Sequence, residues 1–213
     1  MRAERRGGRA LSRFPRAQPG RRATWQQAAV VIAAFVAVLW VIEIINAASG
    51  GDLTDDGIRP RQVGGLWGVL WAPLLHANFT HLESNTIPLL ILGFLVLLGG
   101  VARFGIVTAI VWLVSGIGVW LLGGTNTVVV GASGLAFGWL AYIIVRGVFT
   151  RSLVQLALGL VILVVYGSLL WGVLPGASGV SWQAHLFGAV GGILAAAGGS
   201  EVRRRHHASA AAT

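Results

Sequence analysis

Four polar side chains in this sequence have the types and spacing for joint chemistry. Ser133 sits in Gly131-Ala132-Ser133-Gly134, and His185 in Ala184-His185-Leu186-Phe187-Gly188. His81 and Asn85 stand four residues apart, shortly after His76, so they share one helical face and can aim donors at one spot. A serine hydroxyl is a poor nucleophile until a base takes its proton, and neutral imidazole is a base suited to that near pH 7. Attack on a peptide carbonyl creates an oxyanion, which needs donors already in place. His81, Asn85 and the Ser133 backbone N–H are candidates for that task. No carboxylate is evident as a third member, so the pattern reads as a Ser–His dyad. Phe137, one turn below Ser133, is the candidate packing surface for the imidazole.

Each feature also has a plainer reading. A lone serine in an apolar helix often bonds back to its own backbone, and His81 and Asn85 could be wetted residues at a helix end. Glu43 and Glu83 read as structural or solvated groups. His76 and His81 lack an obvious third ligand for a metal. It is the joint occurrence that favours chemistry over accident.

The elements that must position these groups are set by composition. Hydrophobic residues make up 55% of the 213-residue chain and charged residues 11%, with a mean hydropathy of +0.77. So much apolar surface makes the bilayer the solvent for most of the chain. At roughly 20 residues per crossing, six crossings use nearly all of it. The expected division is an Arg-rich disordered tail over residues 1–23, a six-helix membrane domain over 24–200, and a short tail over 201–213. Apolar runs fall at Trp25–Ala48, His81–Leu98, Phe104–Leu122, Val128–Val145, Leu153–Val173 and Trp182–Gly199. The segment Leu66–Leu75 is too short to cross and carries Trp67 and Trp71, so it is expected to lie half in the membrane. Gly134 and Gly138, and then Ala184, Gly188, Gly192 and Ala196, form small-residue stripes that let helices approach closely.

The net charge of +9 comes from sixteen basic residues, all Arg. With the N-terminus inside, fourteen of them fall in cytoplasmic segments, leaving only Arg59 and Arg61 outside. That is a membrane topology signal and not a nucleic-acid footprint. It predicts an all-α polytopic protein of the cell membrane (bacterial plasma membrane, from the all-Arg usage) with both termini cytoplasmic. The N-terminal tail is expected to touch anionic lipid. Cysteine is absent, which removes thiol catalysis, disulfides and Cys-ligated metals.

The ordered set His76, His81, Asn85, then Gly131-Ala132-Ser133-Gly134, then Ala184-His185 with Gly188, resembles the rhomboid intramembrane serine proteases over Leu66–Gly199. The resemblance implies a six-helix rhomboid-like bundle without cofactor or metal, acting on transmembrane segments of other membrane proteins. It implies Ser133 as nucleophile, His185 as general base, and His81 and Asn85 in the oxyanion hole. His76, Gly131, Gly134, Phe137 and Gly188 would be supporting residues. Two positions depart from the pattern. Many bacterial relatives carry Trp-Arg where this chain reads Trp71-Ala72-Pro73, and Tyr is common where Phe137 stands. The alternatives are a catalytically silent relative that binds membrane-protein clients, which typically lacks the Ser or the His, and a transporter, which would show inverted repeats and charges at mid-membrane.

Overall fold

The computed structural model describes residues 23–176 and 179–211. The Arg-rich tail therefore lies almost wholly outside the described residues, together with its expected lipid contact. The fold is helical. Among the described residues, the only β pairing is an isolated antiparallel bridge between Ile58 and Val129.

Among the described residues, six helices have fourteen or more residues: α1 (Trp25–Ala48), α3 (Phe79–Leu97), α4 (Val101–Leu122), α5 (Ser133–Thr150), α6 (Leu153–Tyr166) and α7 (Trp182–Ala211). A short α2 (Gly68–Trp71) lies between α1 and α3. Four of them, α1, α3, α4 and α5, are long and apolar enough to cross a membrane. The chain is a membrane protein, and its outward faces agree. Leu153, Val154, Leu160, Val161 and Val164 of α6 are all exposed, as are Val41, Ile44 and Ile45 of α1.

Local chemistry explains the helix ends. Thr24 caps α1 through a reciprocal capping box with Gln27. Asn78 caps α3 by accepting the His81 N–H at 2.9 Å, and Ser152 caps α6. Three spans differ from the apolar runs. The run from Val128 becomes helical only at Ser133, because Gly131 adopts a φ of +121° and the preceding backbone is tied elsewhere. The run Leu153–Val173 is helical for fourteen residues and then tightens into a 3-10 segment, Gly167–Val173. The last helix continues through Ala211, well past the expected boundary near residue 200.

Contacts fix the direction of each helix. Glycines of α5 and α7 meet in register: a Cβ on Gly188 would meet the Gly134 carbonyl, and one on Gly192 the Gly138 carbonyl. The two helices therefore run parallel, backbone against backbone, and α4 packs across α7 as well. One end of the bundle gathers the C-terminal ends of α1 and α4, the N-terminal ends of α3, α5 and α7, and the 3-10 segment after α6. The segment between α1 and α3 closes that end as a series of short turns around α2. It is tied to α4 by Trp112 Nε1 donating to the Val69 carbonyl at 2.7 Å and Trp120 Nε1 donating to the Gln62 carbonyl at 2.8 Å. Beneath it, Leu39, Leu82, Leu89, Val111, Trp139 and Leu140 form the buried core. The indole of Trp139 is satisfied there by Thr108 Oγ1 at 3.1 Å.

The α5–α7 contact predicts a contrast between two glycines of one helix. Gly192→Val should lower the unfolding midpoint in detergent by an amount equivalent to about 1–3 kcal/mol, as overpacking does. Gly198→Ala, which meets open space inside α7, should leave the midpoint no lower and raise it slightly, as Ala for Gly does in a helix.

Candidate active site

Ser133 is the first residue of α5, preceded by Ala132 as N-cap. His185 lies one turn into α7. The close glycine packing of these helices brings the two side chains together: Ser133 Oγ and His185 Nε2 are 2.8 Å apart. The other ring nitrogen, Nδ1, is 2.9 Å from the main-chain carbonyl of Gly172. A carbonyl only accepts, so Nδ1 carries a hydrogen and Nε2 is left with its lone pair toward the serine hydroxyl. The Phe137 ring lies flat on the imidazole, 3.9 Å between centroids and 6° between planes. Rotation of the imidazole is thus limited on one face and at both nitrogens.

Gly172 belongs to the 3-10 segment after α6. A Cβ there would come within 2.9 Å of Phe137 Cζ and 3.0 Å of His185 Nδ1, so the absence of a side chain allows the strap to lie against the ring. Ser115 of α4 completes the scaffold by donating from Oγ to the Ala184 carbonyl at 2.9 Å. Gly134 makes room for that hydroxyl, since a Cβ there would meet Ser115 Oγ.

The loop leading to Ser133 is held by the segment between α1 and α3. Ile58 and Val129 exchange two backbone hydrogen bonds of 2.9 Å, and the Gly131 N–H donates to the Ala72 carbonyl at 2.8 Å. The Ala132 N–H points to His76 Nε2 at 3.4 Å. At Trp71-Ala72-Pro73, then, the anchoring is done by main chain. His81 lies against Gly131: a Cβ there would come within 2.6 Å of His81 Cε1 and 2.8 Å of Nε2. Glycine is required at 131 on two counts, the left-handed φ and the imidazole that fills the Cβ space. Asn85, one turn further along α3, donates from Nδ2 to the His81 carbonyl at 3.1 Å. It retains a second amide hydrogen.

His76 is 1% exposed and meets the His81 ring edge-on at 5.1 Å between centroids. Burial, with the neighbouring His81 second, pushes its pKa down from 6.5 to about 3. Among the described residues, no three His, Cys, Asp or Glu side chains gather into a metal-holding group. A cleft of about 510 Å³ opens elsewhere, among Asp55, Asp56, Arg59, Trp67 and Trp71.

Reasoning from sequence missed three participants: the Gly172 carbonyl, Ser115 and Asn46. Asn46 donates from Nδ2 to the His76 carbonyl at 3.3 Å. Asn46 left a signal as a polar residue three positions from Glu43 in an apolar run, and Ser115 as a serine within the Phe104–Leu122 run.

Because folded His76 resists protonation that the unfolded chain accepts, stability should fall as pH drops from about 6.5 toward 3. Thermal unfolding of wild type and His76→Phe at stepped pH checks this. The variant should show the flatter dependence over that window.

A family model described as "Rhomboid domain" matches residues 63–201. An uncharacterized protein of Mycobacterium tuberculosis is 49% identical over 192 residues, covering 86% of this chain and 80% of its own. An uncharacterized protein of Mycobacterium leprae is 44% identical over 190 residues, covering 85% and 75%. A Bacillus subtilis protein named "Putative rhomboid protease YdcA" is 32% identical over 169 residues, covering 76% of this chain and 83% of that one. No solved structure matches the chain.

Proposed function

The chain belongs to the rhomboid family, and from that premise we propose that it is an intramembrane serine endopeptidase cutting peptide bonds in or near transmembrane segments of other membrane proteins. The observation that carries this reading is the hydrogen-bonded chain from Ser133 Oγ through His185 to the Gly172 carbonyl. It is the arrangement a nucleophile and its base require, with a main-chain acceptor where other serine hydrolases use a carboxylate.

In this mechanism His185 Nε2 takes the Ser133 proton as Oγ attacks the scissile carbonyl. The imidazolium that forms is held by Gly172 and by the face of Phe137. Negative charge develops on the carbonyl oxygen, where the Ser133 N–H, His81 and the free amide hydrogen of Asn85 are the donors. Collapse breaks the C–N bond, and the leaving amine takes the proton from Nε2. A water then repeats the sequence on the acyl-enzyme, again using His185 as base. His76, Gly131, Gly134 and Gly188 support the site through the contacts already described.

The same reading takes the chain through the membrane six times, with α6 and its 3-10 extension as the fifth crossing. Alternating helix directions support it, since they put Ser133, His185, His81 and Asn85 at one end of the bundle. The Arg distribution makes that the outer end, with both termini cytoplasmic in a cell membrane. The membrane domain is then residues 24–200, flanked by tails 1–23 and 201–213, the second beginning as a helical extension of α7.

Ser133→Ala and His185→Ala should each reduce cleavage of a single-span model substrate in proteoliposomes by at least about a thousandfold, the scale of losing a nucleophile or base. Undiminished cleavage by correctly inserted Ser133→Ala would remove the proposed mechanism.

A further inference from the structure

Helix α1 carries two polar side chains that membrane crossing alone does not call for. Glu43 and Asn46 are three residues apart and only 2% and 4% exposed. Buried polar groups of this kind need partners or a task. Asn46 Nδ2 donates to Glu43 Oε2 at 3.2 Å and to the His76 carbonyl at 3.3 Å, which joins α1 to the residue that faces the Ser133 loop.

The protonation pattern of His76 follows from its neighbours. Its Nε2 faces the Ala132 N–H, which is a donor, so Nε2 is the acceptor and the ring hydrogen is on Nδ1. That Nδ1 is fully buried without a hydrogen-bond partner, and so is Asn46 Oδ1. The two orphans are complementary, one a donor and the other an acceptor, on residues already bonded to each other. Left unpaired, each would bear the full desolvation penalty of a buried polar group. One water that accepts from Nδ1–H and donates to Oδ1 would satisfy both.

We propose that Asn46, backed by Glu43, is a positioning residue: with His76 it binds one buried water, and so fixes the His76 tautomer that receives the Ala132 N–H beside Ser133. This rests on Ser133 as the nucleophile for its functional meaning, though the water site itself does not. Ala132 caps α5 with φ −84° and ψ 1°, so tying down its N–H fixes the Gly131–Ala132 peptide plane and, through those two angles, the plane that carries the Ser133 N–H. An α1 residue would thereby tune the oxyanion hole through a main-chain contact, touching neither substrate nor nucleophile.

Nitrogen-15 NMR of the full-length Ser133→Ala protein with labelled histidine reads the tautomer without any turnover, His76→Phe identifying the signal. The expected result is a single His76 tautomer protonated on Nδ1, lost to a mixture in Asn46→Leu. Asn46→Ser, which offers a hydroxyl and space for a second water, should recover it. A ring protonated on Nε2, or a tautomer indifferent to Asn46→Leu, overturns the proposal whether or not the protein is a protease. In the Ser133-containing enzyme, Asn46→Leu should lower kcat about tenfold with KM unchanged, the scale of one buried hydrogen bond. Adding His76→Phe should cost nothing beyond the larger single effect. Independent, additive losses would contradict action through His76.

Discussion

Two helix backbones in direct contact set the geometry on which everything else depends. Along α5 and α7 the glycines at 134, 138, 188 and 192 remove the side chains that would otherwise separate the helices. In lipid, where apolar surface gives helices no reason to prefer one another, this fit and the polar groups it brings together provide the attraction. With the axes this close and parallel, a residue at the head of one helix meets a residue one turn into the other. Ser133 and His185 occupy those positions, and their 2.8 Å separation is a consequence of helix packing more than of any local loop.

The second constraint is the satisfaction of polar groups in an apolar surrounding. The imidazole of His185 finds an acceptor in a backbone carbonyl, and the hydroxyl of Ser115 finds one in Ala184. The backbone ahead of Ser133 finds partners in Ile58, Ala72 and His76. These bonds serve stability and geometry together. Losing one would leave a buried group unpaired and also release a degree of freedom near Ser133. The 3-10 strap after α6 has a further consequence. It carries the acceptor for His185 Nδ1 on a segment packed on α7 and on α6 itself, so displacement of the strap would free the imidazole to turn.

Much of the site was legible in the sequence because it consists of side chains that do not belong in lipid. Ser133, His185, His81 and Asn85 stood out against apolar runs, and the one-turn offset of Phe137 pointed to its stacking partner. Gly188 and Gly192 announced close packing through their spacing. The Gly172 carbonyl was not legible, since every residue carries a carbonyl and only the fold shows which one reaches a ring. The apolar run begins at Val128, five residues before α5, because Val128 and Val129 look equally apolar in a helix or in an extended segment. What makes them extended is hydrogen bonding to Ile58, some seventy residues earlier. Asn46 was visible as a polar residue, but its partner is thirty positions away, and periodicity within α1 could not name it.

The proposed chemistry stands on Ser133 as a nucleophile activated by His185. Labelling the membrane-embedded protein with a fluorophosphonate probe and mapping the adduct by mass spectrometry tests this most directly, since it needs no knowledge of the natural substrate. A single adduct on Ser133 is expected, formed at a rate that collapses in His185→Ala while the helical fold persists. An unlabelled Ser133 in folded protein, or labelling that proceeds equally well without His185, would contradict it.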